Sequence, residues 1–371
     1  MKAPKVYYSD LHADYGNGLA LKLSRLIREA GIGKIDMENR FVAIKLHFGE
    51  LGNLAYLRPP YVRAVADTVR ELGGIPFATD CSTLYVGNRK NGVDHLETAE
   101  LNGFNSVSCG CPVITGDGIK GTDDVELPVG NGKHCETAKI GRAIADADVL
   151  ITLTHFKGHE LTSFGGSVKN ISMGCASRRG KMELHDSEKP TVDGGKCRGC
   201  GTCIDHCGQG AIIMAGEGAA IDQGRCVGCG RCIGNCGFDA ITVKFEAAPA
   251  VVVEKMVEYA EAVCASKPCF HISIAADVSP SCDCGDMNDL PIIPNVGMFA
   301  SLDPVALDKA VLDMCNAQPI LPGSMAEGNG RRRMSGSVFE AAHPETDSST
   351  EFAHARRIGF GSVEYELVKV K

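Results

Sequence analysis

The sequence contains no apolar run of about 18 residues, the length that a helix needs to span a membrane. Its N-terminal stretch, Met1 to Asp10, also lacks the positively charged and apolar regions of a secretory signal. The net charge is -8, and the densest basic run, residues 331–333, follows a glycine as a solvated loop would. We therefore expect a cytoplasmic protein whose partners are neither membranes nor nucleic acids.

Cysteine, by contrast, is abundant, with 18 among 371 residues. Secreted domains use many cysteines for disulfide bonds, whereas a reducing cytoplasm keeps thiols free. Because no secretory signal is visible, the cysteines fit thiolate ligation of metal better than a disulfide framework.

Helical apolar periodicity alternates along the chain with short apolar strands, and this alternation predicts an α/β fold. We expect a doubly wound, mostly parallel sheet formed by a host domain of residues 1–190 and 247–371. A small α+β insert at residues 191–246 interrupts it, with Pro- and Gly-containing seams at both ends. The predicted helices cover residues 18–30, 59–72, 137–147, 250–265 and 304–315, and the predicted strands cover 41–48, 75–79, 149–154 and 271–276.

Within the insert, a C-x2-C-x2-C-x3-C motif occurs twice, 29 residues apart, and residues 197–212 match residues 226–241 at ten of sixteen positions. This spacing places three thiolates on one 4Fe-4S cluster and sends the fourth to the other cluster. Zinc knuckles also use C-x2-C pairs, but a zinc ribbon has separated pairs rather than four cysteines in eleven residues. The predicted ligands are Cys197, Cys200, Cys203 and Cys236 for one cluster, and Cys226, Cys229, Cys232 and Cys207 for the second.

This repeat resembles the bacterial-type dicluster ferredoxins. Gly208 and Gly237 stand where that family usually has proline after the fourth cysteine. The resemblance implies an electron-transfer module with two 4Fe-4S clusters, whose potential the protein tunes by ligation, hydrogen bonds to sulfur and solvent exposure.

In the host domain, polar side chains follow three predicted strands. His155, Lys157 and His159 come after the strand at 149–154, with Lys169 shortly beyond, and residues 79–83 follow another strand. Ligands bind at the carboxyl edge of doubly wound sheets, so these segments predict an active cleft that takes a small anion or a metal. Either histidine alone could simply bond to the backbone, and their spacing suits one metal only in a helix, which Gly158 disfavours.

Cys282 and Cys284 form the third segment, after the strand at 271–276. Two thiols one residue apart could ligate a metal or a further cluster, could form a redox pair, or could lie reduced in an ordinary turn. We predict that they belong to the same cleft as His155, Lys157, His159 and Lys169.

Together these motifs resemble the domain-of-unknown-function family 362, described as uncharacterised Fe-S centre proteins. The resemblance spans essentially the whole chain and implies an α/β host with two 4Fe-4S clusters, but no substrate. More distantly, the His-x-x-x-His and Gly-Gly-x-x-Lys order is similar to that of nickel-pincer enzymes of the lactate-racemase type, although the spacing differs. The residues that carry the family resemblance are 79–85, 87–89, 155–159, 165–170 and 282–284.

The sequence thus predicts a reductive or redox enzyme that receives electrons from a ferredoxin or another redox partner protein. Electrons would cross the two clusters to the cleft, where an anionic substrate or a metal binds. One alternative is a dedicated electron carrier that docks to a separate enzyme, and a weaker one is a redox sensor.

Overall fold

The structure is a computed structural model that describes residues 3–85, 87–185, 189–244, 247–328 and 336–371. The arginine run at residues 331–333 and residues 245–246, at the predicted end of the insert, lie outside this description.

The described residues form the alternating helices and strands of an α/β protein. The strands are β1 (Lys5–Ser9), β2 (Phe41–Lys45), β3 (Ile75–Asp80), β4 (Val113–Thr115), β5 (Asp124–Pro128), β6 (Thr137–Gly141), β7 (Val149–His155), β8 (Lys157–His159), β9 (Ser163–Gly165), β10 (Thr191–Val192), β11 (Ile212–Ala215), β12 (Gly218–Ile221), β13 (Ile241–Thr242), β14 (Cys269–Ala275), β15 (Gly297–Ser301) and β16 (Glu366–Lys369). The helices are α1 (Leu19–Glu29), α2 (Pro59–Glu71), α3 (Gly92–Leu101), α4 (Ser106–Cys109), α5 (Arg142–Asp146), α6 (Ser167–Ile171), α7 (Arg178–Leu184), α8 (Thr202–Asp205), α9 (Arg231–Asn235), α10 (Pro249–Ser266), α11 (Pro304–Asn316), α12 (Met325–Gly328), α13 (Val338–Ala342) and α14 (Thr350–Ile358).

A large sheet with the strand order β16-β1-β15-β14-β7-β2-β3-β4 forms the centre of the fold. Its pairings are parallel except the two that β15 makes with β1 and β14. The central strand β7 is buried along its whole length, as a strand covered on both faces must be. Leu150 packs in one apolar core, whereas Val149 and Ile151 pack in a second core on the opposite face. The mostly parallel α/β sheet predicted from the sequence is therefore confirmed.

One predicted element of the host is wrong. Residues 137–147 do not form a single helix, because Thr137–Gly141 is strand β6, paired antiparallel with β5, and only Arg142–Asp146 is helical. Ala138 and Ile140 are buried while Thr137 and Lys139 are half-buried, and this two-residue period belongs to a strand. No described helix is both long enough and apolar enough to cross a membrane.

The cysteine-rich segment, residues 189–244, lies in the chain between α7 and α10 and has an apolar cluster of its own. Ile212, Ile233 and Ile241 belong to this cluster, and Leu84 of the main fold packs in it. The hairpin β11–β12 and the antiparallel pair β10–β13 complete the segment. Whether it is a separate domain with the predicted boundaries stays a prediction.

The repeat in the sequence is also a repeat in the backbone. Helices α8 and α9 are 29 residues apart at their starts, and each follows a pair of glycines at positive φ. A positive φ suits glycine because it lacks a Cβ atom. The four glycines are Gly199, Gly201, Gly228 and Gly230, with φ of 62, 76, 67 and 66°.

Helix α6 is held by a side chain from another helix. Its N-cap residue, Gly166, has no capping side chain, and Asp308 of α11 instead accepts from the backbone amides of Ser167 and Val168 at 2.7 and 2.8 Å. A Cβ atom added to Gly166 would lie 2.5 Å from this carboxylate. The close approach therefore depends on glycine.

We expect Gly166→Ala to lower the free energy of unfolding by about 1–3 kcal/mol, because the added methyl group overlaps the carboxylate of Asp308. Gly18→Ala is the matched control, since Gly18 also precedes a helix but a Cβ atom there has no neighbour within 4 Å. The control should change the free energy by less than about 0.5 kcal/mol. Denaturant unfolding of the anaerobically purified protein measures both, and equal effects would contradict this account of the helix start.

Candidate active site and cysteine-rich segment

A cavity of about 690 Å³ opens at the carboxyl edge of the central sheet, within the size range of small-molecule sites. It is lined by the segments that follow β2, β3, β7 and β14, which parallel strands bring to one edge. Asp80, Cys81 and Thr83 of the 79–83 segment line it. So do the six side chains that the sequence singles out in the host: His155, Lys157, His159, Lys169, Cys282 and Cys284.

Cys282 lies in this cavity among hydrogen-bond donors and cations. A hydrogen bond from the thiol of Cys284 is the largest cause that holds the pKa of Cys282 well below its ordinary value. The charges of Lys169 and Lys157 and a hydrogen bond from His159 act in the same direction, while burial opposes them. Lys169 Nζ is 3.6 Å from Cys282 Sγ. The arrangement stabilises a thiolate, which is the nucleophilic and metal-binding form of cysteine.

The two thiols of the pair are therefore not equivalent. The hydrogen bond to Cys282 and burial raise the pKa of Cys284 well above its ordinary value, so Cys284 retains the proton that it donates. One thiolate and one thiol share a proton beside two lysines, as the cysteines of a reactive pair do.

His159 reaches Cys282 through a fixed tautomer. Its Nδ1 accepts from the backbone amides of Leu161 and Thr162 at 3.0 and 3.2 Å. The proton of a neutral ring then lies on Nε2, which is the nitrogen left to donate to Cys282. Burial, followed by the charge of Lys169, lowers the pKa of His159 and favours this neutral form.

His155 has a different environment from His159, because both of its ring nitrogens face acceptors. Nδ1 lies 2.9 Å from both carboxylate oxygens of Asp283, and Nε2 lies 2.9 Å from the carbonyl oxygen of Ala276. Only a doubly protonated ring can donate in both directions. Ligation of a metal by His155 would require one of these bonds to break, so its geometry suits the positioning of the loop that carries Cys282. Strands β7 and β8 are extended around Phe156, so the two histidines do not share a helix face.

The cavity is predominantly cationic. Its lining includes five lysine or arginine side chains against three acidic ones, the latter being Asp80, Glu160 and Asp286. Among the described residues, Lys157 Nζ has no hydrogen-bond partner. It lies close to the backbone of Gly165, since a Cβ atom added to this glycine would be 2.9 Å from it. Lys157 Nζ is thus available to a negatively charged group in the cavity, whereas Lys169 Nζ lies beside Cys282 Sγ.

Lys45, His47 and Arg89 also line the cavity, although the sequence analysis does not place them at the site. Lys45 Nζ lies 2.9 Å from Asp80 Oδ1, and burial together with Arg89 lowers the pKa of His47 to about 3. A signal for two of them was present, since Lys45 and His47 are polar residues at the end of a predicted apolar strand, at the same edge of the sheet.

The eight repeat cysteines fall into two spatial sets in the cysteine-rich segment. One cavity, of about 20 Å³, is lined by Cys197, Cys200, Cys203 and Cys236. The other, of about 270 Å³, is lined by Cys207, Cys226, Cys229 and Cys232. In each set, the fourth cysteine of one repeat joins three cysteines of the other.

Backbone amides donate to the cysteine sulfurs with the symmetry of the repeat. Ala211 donates to Cys207 Sγ at 3.2 Å, and Ala240 donates to Cys236 Sγ at 3.3 Å. The two repeats thus hold the sulfur of the fourth cysteine in the same way.

A buried arginine lies between the main fold and the second cysteine set. Arg178 is 0% exposed, donates to the carbonyl oxygens of Gly230 and Lys90, and has an Nε without a hydrogen-bond partner. Burial lowers its pKa, while the charge of Asp117 and, after it, the charges of Cys232 and Cys229 raise it. The buried guanidinium therefore lies within electrostatic reach of a carboxylate of the main fold and of two sulfurs of the second cysteine set.

The fold and these two groups of residues define a class: an α/β protein with a thiol-containing cavity at its sheet edge and a duplicated cysteine-rich segment beside it. A family model described as Domain of unknown function (DUF362) matches residues 42–313, which is well over half of the chain. The protein therefore belongs to this family.

The solved structures that resemble this chain are distant from it. No curated protein is detectably similar to this chain. Among solved structures, the lactate racemase apoprotein from Thermoanaerobacterium thermosaccharolyticum is 12% identical with a TM-score of 0.35, and the match covers 74% of this chain and 51% of that chain. A protein from Thermotoga maritima is 10% identical with a TM-score of 0.35, covering 69% of this chain and 49% of that chain. This chain spans about half the length of each, and neither informs the chemistry of the cavity.

Because the pKa of Cys282 is lowered, its thiolate persists at pH values where an ordinary thiol is protonated. Alkylation of Cys282 by iodoacetamide should therefore stay fast near neutral pH and slow only as the pH falls through the lowered pKa. Cys284, whose pKa is raised, should react slowly near neutral pH. Mass spectrometry of the anaerobic protein measures both rates.

Lys169→Met should raise the pH midpoint of Cys282 alkylation by about one unit or more, because a nearby positive charge is lost. Lys34→Met removes an exposed lysine and should leave the midpoint unchanged. A wild-type midpoint equal to that of a free cysteine peptide would refute the thiolate.

Proposed function

We propose that the protein is an iron-sulfur redox enzyme in which two 4Fe-4S clusters, when bound, supply one-electron transfer to the cavity at the sheet edge. The observation that carries the proposal is the sorting of the eight repeat cysteines into two cavities. The spacing of the repeat requires the fourth cysteines to be exchanged between the clusters, and the cysteines line the two cavities in that exchanged order.

The surroundings of the cysteines support this ligand assignment. The amide bonds to Cys207 and Cys236 suit thiolates that carry negative charge. The positive charge of the buried Arg178 acts on Cys232 and Cys229 as well as on Asp117, so it suits sulfurs that carry negative charge. Glycines between the cysteines let the backbone of each repeat turn at positive φ around its cysteines.

The proximity of the cysteine sets to the cavity favours an enzyme. Leu84 lines the cavity and also packs in the same apolar cluster as Cys203 and Cys236. Lys181 lines the cavity, and the next residue, Met182, packs in that cluster. The wall between the cysteine-rich segment and the cavity is thus about one side chain thick at these positions, which is a short distance for electron transfer.

The cavity residues support a small anionic substrate. Lys157 and Lys169 attract negative charge, His159 holds a proton on Nε2 beside Cys282, and the Cys282 thiolate is the nucleophile or metal ligand. His155 and Asp283 position the loop that carries this thiolate. A metal held by Cys282 and Cys284 is the second possibility for the site.

An electron carrier that docks to a separate redox partner protein is the second candidate function. It is favoured by the exposure of Cys200 and Cys229, one in each cysteine set. Exposed ligands let electrons enter or leave at the surface, so a ferredoxin or another redox partner would dock there in either case. A carrier, however, needs no cationic cavity.

Two double variants test the exchanged ligand sets. The wild-type protein should contain about eight irons, Cys203→Ala with Cys236→Ala should retain about four, and Cys203→Ala with Cys207→Ala should lose both clusters. If each repeat held its own cluster, Cys203→Ala with Cys236→Ala would lose both clusters, and Cys203→Ala with Cys207→Ala would retain about four irons. Cys109→Ala, which removes a buried cysteine elsewhere, should keep the wild-type iron. Iron and sulfide analysis with electron paramagnetic resonance measures the outcome.

The cavity is tested separately with inorganic phosphate and acetate as probes. At saturating concentrations, one of the probes should raise the thermal unfolding midpoint of the wild-type protein by mass action. Lys157→Met with Lys169→Met should abolish this shift, while Lys34→Met should retain it. The absence of a shift with either probe would favour the carrier.

Replacement of Cys282 and Cys284 by Ser should leave about eight irons, because the pair lies outside both cysteine sets. A fall in iron would instead mean that the pair holds cluster metal. The iron content of this variant therefore separates a cavity role of the pair from a ligand role.

A further inference from the structure

Three donor side chains meet at the end of the sheet opposite to the cavity. Cys264 lies in the last turns of α10, Cys269 begins β14, and His271 follows two residues later. Cys269 pairs with Leu150 near the amino end of β7, whereas the cavity lies beyond the carboxyl end of that strand. One donor atom from each of the three residues lies within 4.8 Å of the others.

The chain turns back between the two cysteines, and this turn brings the donors together. Helix α10 ends at Ser266, and β14 begins at Cys269. Cys269 and His271 are two residues apart on a strand, so their side chains point to the same face. The Cys-x4-Cys-x-His motif thus makes a compact donor set from eight consecutive residues, unlike the C-x2-C motifs of the repeat.

The imidazole of His271 provides an independent observation. The side chain is 0% exposed, its Nδ1 lies 2.9 Å from Thr152 Oγ1, and its Nε2 has no hydrogen-bond partner. If Nδ1–H donates to the hydroxyl of Thr152, the lone pair of Nε2 is left free. Metal-binding histidines are usually held in this way, with the second nitrogen fixed by a hydrogen bond.

We propose that Cys264, Cys269 and His271 bind one zinc ion. Two thiolates neutralise the charge of Zn²⁺, and a neutral imidazole completes a donor set without net charge, which suits a largely buried position. Cysteine sulfur and histidine nitrogen are the preferred zinc ligands, in tetrahedral geometry. The described residues supply three ligands, so the fourth position belongs to water or another small ligand.

The site is reachable and independent of the redox centres. Cys264 and Cys269 are both half-buried, so a zinc ion can approach from the surface while His271 closes the inner side. None of the three residues lines the cavity or either cysteine set. Bound zinc would join the end of α10 to the start of β14, and zinc has no redox chemistry that would interfere with electron transfer.

Metal analysis of the whole protein, expressed with zinc supplementation and purified anaerobically, tests the site. We expect about one zinc per chain in the wild type and close to none in Cys264→Ala with Cys269→Ala, with the iron content of both unchanged. Cys111→Ala, which removes a buried cysteine elsewhere, should keep its zinc. X-ray absorption at the zinc edge should find two sulfur ligands at about 2.3 Å and one nitrogen ligand at about 2.0 Å.

A measurement on the wild-type protein covers the case in which the double variant fails to fold. Cys264 and Cys269 should resist alkylation in the zinc-loaded protein and become reactive after a zinc chelator is added, and added zinc should restore protection. The proposal would be overturned if the wild-type protein contained no zinc or if the folded double variant retained it. Equal alkylation before and after chelation, or a disulfide bond between the two cysteines, would also overturn it.

Discussion

The buried ion pair between Lys45 and Asp80 fixes the sheet edge on which the cavity depends. Burial of two charges is unfavourable unless each keeps further partners. Lys45 Nζ also donates to Asn170 Oδ1 at 2.8 Å, while Asp80 lies 3.6 Å from Arg89 and 3.5 Å from His95. Although burial acts against it, Lys45 with the neighbouring His95 holds the pKa of Asp80 well below its ordinary value. The pair therefore ties the ends of β2 and β3 to α6, and loss of Asp80 would leave the buried charge of Lys45 without its carboxylate partner.

Helix α6 transmits this constraint to the thiolate. Asn170, which bonds to Lys45, follows Lys169 in the sequence, and Lys169 Nζ lies 3.6 Å from Cys282 Sγ. The other end of α6 is fixed by the carboxylate of Asp308. A helix of five residues gains little stability from its own hydrogen bonds, so these two polar anchors from distant parts of the chain determine where Lys169 lies.

The sequence was sufficient for features that depend on local pattern or on a general rule of topology. Apolar runs such as residues 149–154 predicted the parallel sheet, and the rule that parallel strands share a carboxyl edge brought Lys169 and Cys282 to one predicted cleft. Local pattern was ambiguous at residues 137–147, where alternation in a short ribbon looks similar to helical spacing. The roles of Lys45 and of Arg178 were not predictable, because a buried charge is recognised only from the partners that the fold brings to it.

In the proposed function, the cations that stabilise the thiolate also hold the anionic ligand, and this dual use couples binding to reactivity. The charges of Lys169 and Lys157 lower the pKa of Cys282. An anion bound by these lysines would share their charge and so raise the pKa of the thiolate beside it. A thiolate of higher pKa is a stronger nucleophile and base, although less of it is ionised. The empty cavity would thus keep Cys282 ionised near neutral pH, whereas a bound anion would lower the ionised fraction and make each remaining thiolate more nucleophilic.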